Sequence, residues 1–139
     1  EQAMGMTFTP WEALLGESDI LSLHVPLLPE TRGMIGAREF ASMKPSAVLI
    51  NTARGGLVDE PALIEALRAK RIAGAGLDVF AQEPPGRDNP LLAMESVVAM
   101  PHNGGGTVDT MKRIIGHGFA NILRVERGEP LDAADRVTG

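Results

Sequence analysis

The chain is 139 residues long, 44% hydrophobic and 22% charged, with a net charge of −5 and no cysteine. That length supports one domain with a real core, and the missing cysteines exclude disulfides and thiolate metal sites and fit a cytosolic protein. No basic run exceeds a pair such as Lys70-Arg71, which argues against nucleic-acid binding by phosphate neutralisation, and no stretch approaches the ~20 apolar residues of a membrane span. Sixteen glycines and ten prolines spread along the chain predict many tight turns.

The first residues, Glu1-Gln2-Ala3-Met4-Gly5, show no initiator methionine, signal-peptide pattern or capping sequence. They read as the inside of a structural element, so a piece of a longer chain is expected. Pro10 to Glu17 predicts a short helix with Pro10 in its first turn and Trp11, Leu14 and Leu15 on one face. A buried strand follows at Asp19–Val25, then a loop from Leu27 to Gly36 and a brief helix near Ala37–Met43, ended by Lys44-Pro45. Ala47–Asn51 is the second strand. Asp59 suits an N-cap, Pro61 a first turn, and Leu63, Ile64 and Leu67 form an apolar stripe running to about Lys70. Gly74–Val79 and Val97–Met100 are the third and fourth strands.

These four strands begin 28, 27 and 23 residues apart, room for the crossovers that parallel pairing needs. Near-continuous apolar strands alternating with helices predict an α/β fold, a parallel sheet covered on both faces. The last helix has the clearest period, with Met111, Ile114, Ile115, Gly118, Phe119 and Ile122 on one face, Thr107 as cap, Asp109 near its start and Gly128 past its end. The tail from Glu129 to Gly139 has little periodicity and is expected to pack on another element or fray. Met4, Met6, Met94 and Met111 read as core filler, and His117 as structural.

Polar residues follow three of the strands. Arg54 stands after the second, in Ile50-Asn51-Thr52-Ala53-Arg54-Gly55-Gly56-Leu57-Val58-Asp59-Glu60. Asp78 and then Glu83-Pro84 close the third, and Pro101-His102 follows the fourth. A parallel sheet brings its strand ends to one edge, where ligands bind in open α/β folds. Arginine offers a planar fork for a carboxylate, histidine can pass a proton at neutral pH, and a glutamate can orient that ring. Together they suit reduction of a 2-oxo acid, given a hydride source. Singly, each has an ordinary reading: Arg54 a helix-flanking surface residue, Glu83-Pro84 a turn, His102 and His24 polar loop or strand-end residues, Asp78 a loop tether. Their joint occurrence at three strand ends favours the site.

The glycine runs fail as dinucleotide fingerprints. Gly74-Ala75-Gly76 leads into a strand without the third glycine, and Gly104-Gly105-Gly106 has Asp109 where the last glycine belongs. Gly55 and Gly56 instead let something approach the backbone closely.

Four motifs, Ser18–Leu27, Ile50–Glu60, Gly74–Pro84 and Pro101-His102, resemble in order and spacing the D-isomer-specific 2-hydroxyacid dehydrogenases, which include D-3-phosphoglycerate dehydrogenase and glyoxylate/hydroxypyruvate reductase. The final helix and Gly128-Glu129-Pro130-Leu131 are similar to that family's C-terminal return. The resemblance implies a Rossmann-type domain of which this chain holds the second half, over residues 1–127, followed by a return segment at 128–139. It implies that Arg54 binds the substrate carboxylate and carbonyl, that His102 is the general acid/base and that Glu83 is its partner. It implies that Thr52, Ala53, Arg54 and Asp78 line the nicotinamide side of an NAD or NADP site. His102, Asn103, Gly104 and Gly105 would close over that side; His24, Val25 and Pro26 would wall the adenine pocket, with Thr31 beyond. No metal is implied. The glycine-rich Asn103–Gly106 departs from the family loop, which often carries an apolar residue after the histidine, and implies a looser or wider pocket. The family's first Rossmann half is not among these residues, so the chain alone is expected to be inactive. A cytoplasmic homodimer acting on a small 2-hydroxy or 2-oxo acid is the resulting expectation. The alternatives are a non-catalytic NAD(H)-sensing module resembling the co-repressors of this fold, and a remnant domain packed on a partner.

Overall fold

A computed structural model describes residues 5–136, which fall into two units dividing between Asn103 and Gly104. The first unit contains α1 (Trp11–Glu17), β1 (Ile20–Leu23), α2 (Ala37–Ser42), β2 (Val48–Asn51), α3 (Glu60–Arg68), β3 (Gly74–Leu77) and β4 (Val97–Ala99). The strands form one parallel sheet in the order β1-β2-β3-β4, so the fold is α/β as expected. The register sets Leu23 beside Asn51, Asn51 beside Leu77 and Leu77 beside Ala99. All four strands therefore end level, and the residues that follow them share one edge.

Local signals explain the helices. Asp59 accepts a hydrogen bond from the Ala62 N–H at 3.1 Å, capping α3 with Pro61 in its first turn. Glu39 reaches back from the first turn of α2 to accept from the Gly36 N–H at 3.1 Å. Pro10 stands just outside α1, extended at φ −55° and ψ 149°, instead of in its first turn. The strands are also shorter than predicted: His24 and Val25, and Asp78 and Val79, lie beyond β1 and β3. Pairing runs only as far as the neighbouring strand stays extended, and β2 turns after Asn51.

The prediction of a sheet covered on both faces is corrected within this unit. Leu21, Leu23, Leu49, Ala75 and Leu77 share a core with Leu15 of α1, Phe40 of α2 and Leu63, Ala66 and Leu67 of α3. On the opposite face Ile20 and Val98 are more than 60% exposed. Handedness is the reason. Right-handed crossovers between strands that always step in the same direction carry their helices to one side. Trp11 packs against the core and Leu14 is exposed; Met94 packs against it too, whereas Met6 is exposed and is not core filler. Met4 lies outside the described residues.

The second unit is built on α4 (Val108–Glu126). Thr107 accepts from the Thr110 N–H at 3.1 Å at its start. At its end Gly128, at φ +68°, donates to Val125, and Glu129 donates to the Arg124 carbonyl. That is a Schellman closure, which favours glycine at the left-handed position. A tight turn at Ala133–Asp135 is tied back to the helix by His117 Nε2 and Asp135 Oδ1 at 2.8 Å and by Arg124 and Asp132 at 3.2 Å. The His117 hydrogen bond holds the Asp135 carboxyl below its ordinary value. Inside this unit the apolar row of α4 is exposed, Met111 included, so Met111 does not fill a core here. No helix of the described residues is long and apolar enough to cross a membrane.

Candidate active site

The turn that presents Arg54 is fastened by Asn51, which is 1% exposed. Its Oδ1 accepts from the Ala53 N–H at 3.1 Å and its Nδ2 donates to the Arg54 carbonyl at 3.0 Å. This bracket closes a four-residue turn directly at the end of β2. Arg54 is extended and exposed, with one guanidinium nitrogen donating to the Ala53 carbonyl at 2.6 Å. Among the described residues no carboxylate forms an ion pair with it.

The two glycines after it do not hold space for a ligand, as their sequence context suggested. A Cβ on Gly55 would lie 1.9 Å from the Phe80 carbonyl oxygen, and one on Gly56 would lie 2.9 Å from the Leu27 side chain. Both glycines let loops of the protein itself pack closely.

His102 and Glu83 meet as predicted. His102 Nδ1 donates to Glu83 Oε2 at 2.6 Å, which leaves Nε2 on the outward edge of a half-exposed ring. His102 has φ +54°, a left-handed backbone that costs a residue with a Cβ about 1–3 kcal/mol and often marks functional sites. The other Glu83 oxygen accepts from the Phe80 N–H at 3.1 Å. The His102 hydrogen bond, then the Phe80 N–H, hold the Glu83 carboxyl below its ordinary value against the opposing effect of partial burial; the charges on His102 and Arg54 add to the lowering. Asp78 is buried and accepts from the Asn103 N–H at 2.8 Å, so it tethers the turn immediately after His102.

Two of the clefts among the described residues take in these side chains. One, of about 770 Å³, is lined by His24–Leu27 and Thr52–Arg54. The other, of about 350 Å³, has Glu83, Pro84, Met100 and His102 among its walls. Thus His24, Val25, Pro26, Thr52, Ala53 and Arg54 are gathered in one cleft, and Glu83 and His102 in the next. Thr31 lines neither. Its hydroxyl donates to the Pro26 carbonyl at 2.7 Å and accepts from the Leu28 N–H at 2.8 Å, stapling the loop that forms the first wall. Gly104 and Gly105 open the second unit. Among the described residues no group of three or more His, Asp or Glu could hold a metal ion.

The family of D-isomer specific 2-hydroxyacid dehydrogenases, NAD binding domain, matches residues 1–104, and the chain belongs to that family. The glyoxylate reductase of Korarchaeum cryptofilum (strain OPF8) is 47% identical over 129 residues, covering 93% of this chain and 39% of the relative. The crystal structure of an NAD-complexed D-isomer specific 2-hydroxyacid dehydrogenase from Lactobacillus delbrueckii ssp. bulgaricus superposes with a TM-score of 0.85 at 36% identity, covering 91% of this chain and 43% of that one. A D-isomer specific 2-hydroxyacid dehydrogenase from Xanthobacter autotrophicus Py2, in complex with NADPH and MES, gives a TM-score of 0.74 at 42% identity over 87% of this chain and 49% of that one. The chain spans between 22% and 40% of the length of curated relatives it matches.

Proposed function

We propose that these residues form the catalytic side of an NAD(P)-linked D-2-hydroxyacid dehydrogenase, which interconverts a 2-oxo acid and the D-2-hydroxy acid. The observation that carries this reading is the 2.6 Å His102–Glu83 pair on the same sheet edge as an exposed Arg54. The reading places this part in a longer, homodimeric cytoplasmic protein, with residues 1–127 as the second half of its Rossmann domain and 128–139 as the return segment.

The residues present fit one flank of a dinucleotide. Val25, Pro26 and Leu27 offer an apolar wall for a flat ring, and Thr52 and Arg54 offer polar groups beside it. On this reading His24, Val25 and Pro26 face the adenine end, with Thr31 bracing them, and Thr52, Ala53, Asp78 and Asn103 border the nicotinamide end. When bound, the nicotinamide supplies the hydride.

Arg54 grips the substrate carboxylate and the neighbouring carbonyl with its planar fork, fixing which face of the carbonyl carbon is presented. His102, protonated, donates from Nε2 to the carbonyl oxygen as negative charge develops there, and takes the proton back in oxidation. Glu83 holds Nδ1–H, which sets the ring orientation and stabilises the imidazolium. Its lowered carboxyl value extends toward acid the range over which it stays ionised as that partner.

The test is a screen of the full-length protein with NADH and NADPH over glyoxylate, hydroxypyruvate, pyruvate and 3-phosphohydroxypyruvate. Turnover of at least one is expected, and His102→Asn lowers it by about 10²–10⁴-fold with cofactor affinity nearly unchanged. Cofactor binding with no turnover of any substrate would overturn the enzyme reading in favour of a sensor.

A further inference from the structure

Glu60 lies on the first turn of α3, outside every residue given a role above, yet its carboxylate crosses to another loop. Oε2 accepts from the Ala81 N–H at 3.0 Å, and Oε1 accepts from Asn89 Nδ2 at 2.8 Å. Asn89 is fixed in turn, because its Oδ1 accepts from the Leu91 N–H at 3.0 Å. Both partners of Glu60 therefore flank the segment that carries Glu83. The peptide reached by Glu60 adjoins the one that holds Glu83: Ala81 donates to Glu60, while the neighbouring Phe80 N–H donates to Glu83 Oε1. The Phe80 carbonyl packs against Gly55, so the same peptide is braced from the Arg54 side.

We propose that Glu60, with Asn89, is a positioning residue that holds the 81–89 loop so that Glu83 meets His102. This rests on the reading of Glu83 and His102 given above. Glu60 touches neither of them. It acts through the backbone, at a point where a displacement of about 1 Å would separate groups now at hydrogen-bond distance. A capping or surface glutamate would contribute stability alone, whereas a positioning residue also controls the carboxyl it places.

The experiment has two readouts, the 13C titration of the Glu83 carboxyl and steady-state reduction of the 2-oxo acid. In Glu60→Ala the Glu83 midpoint rises toward the ordinary glutamate value, and kcat falls about tenfold with little change in cofactor affinity. Glu60→Gln sets two amides against each other, and Asn89→Asp two carboxylates, so each single variant shows both defects. The double variant E60Q/N89D restores the pattern: the new amide accepts from Ala81 and donates to the new carboxylate, which still accepts from Leu91. Recovery of both readouts to within about threefold of the unsubstituted protein is expected. A Glu83 midpoint unmoved in Glu60→Ala, or a double variant no better than the worse single one, would overturn the proposal. If the unsubstituted protein reduces no 2-oxo acid, the activity reading fails while the titration still decides the role of Glu60.

Discussion

The imidazole of His102 is held on one nitrogen and open on the other, and this asymmetry suits a proton donor. Its acid partner gives the measurable consequence. Because the folded value of Glu83 is lowered, its contribution to stability is complete above the ordinary glutamate range and is lost as pH falls through the lowered value. Stability of the protein should therefore decline with acid across that window, and Glu83→Gln should flatten the decline, as urea titrations at stepped pH would measure. In His102→Ala the Glu83 midpoint should rise, since the largest influence on it is gone. An unchanged acid slope in Glu83→Gln would contradict the pairing. At this scale Arg54, Glu83 and His102 were legible because their side chains carry distinctive chemistry at strand ends. Asn51, Glu60 and Asn89 were not, because most of their partners are backbone N–H and C=O groups, which have no residue identity to read. An asparagine ending a strand and a glutamate opening a helix look like ordinary boundary residues.

Among the elements, the strand-to-helix connections matter more than the strands. The 3-10 turn at Gly55–Leu57 runs against the Phe80–Ala81 peptide, and the Asn51 bracket sets the angle at which that turn leaves β2. Gly55→Ala places a methyl inside contact distance of backbone that has no flexible end to yield. We expect a loss of at least about 1–3 kcal/mol, the range for overpacking a well-filled site, read as a lower denaturant midpoint. Gly105→Ala, whose added Cβ would meet nothing within 4 Å, is the control and should cost far less. The sequence showed that Gly55 and Gly56 permit a close approach. It did not show what approaches, since Phe80 is 25 residues away and the contact depends on how two loops cross. Strand ends were overextended for a related reason: hydrophobicity continues after pairing stops, through Val79, which is still buried, and through Val25, which is exposed on a cleft wall.

At the level of the whole molecule, strand spacing was enough to read a parallel α/β fold, since crossovers of this length have few other uses. The coverage of the sheet was harder. An apolar strand residue looks the same whether a helix lies over it or not, and only the one-way strand order reveals that α1, α2 and α3 gather on one side. The same view bears on the cofactor. Neither glycine run matches the dinucleotide fingerprint, so on the proposed reading the pyrophosphate is not expected to be anchored by them. The 139-residue chain by itself should therefore bind NADH more weakly than micromolar in a fluorescence titration, and micromolar binding would show that the flank described here suffices.

The contact between Gly55 and the Phe80–Ala81 peptide has a bearing on redesign. The segment with Arg54 and the segment with Glu83 are joined there, and again through Glu60. They cannot be exchanged separately. A chimera that imports a relative's residues 52–60 without the matching 80–89 inherits a mismatched seam, whereas transplanting both as one cassette preserves it. Attempts to retarget substrate choice by loop grafting should treat these two stretches as a single heritable part.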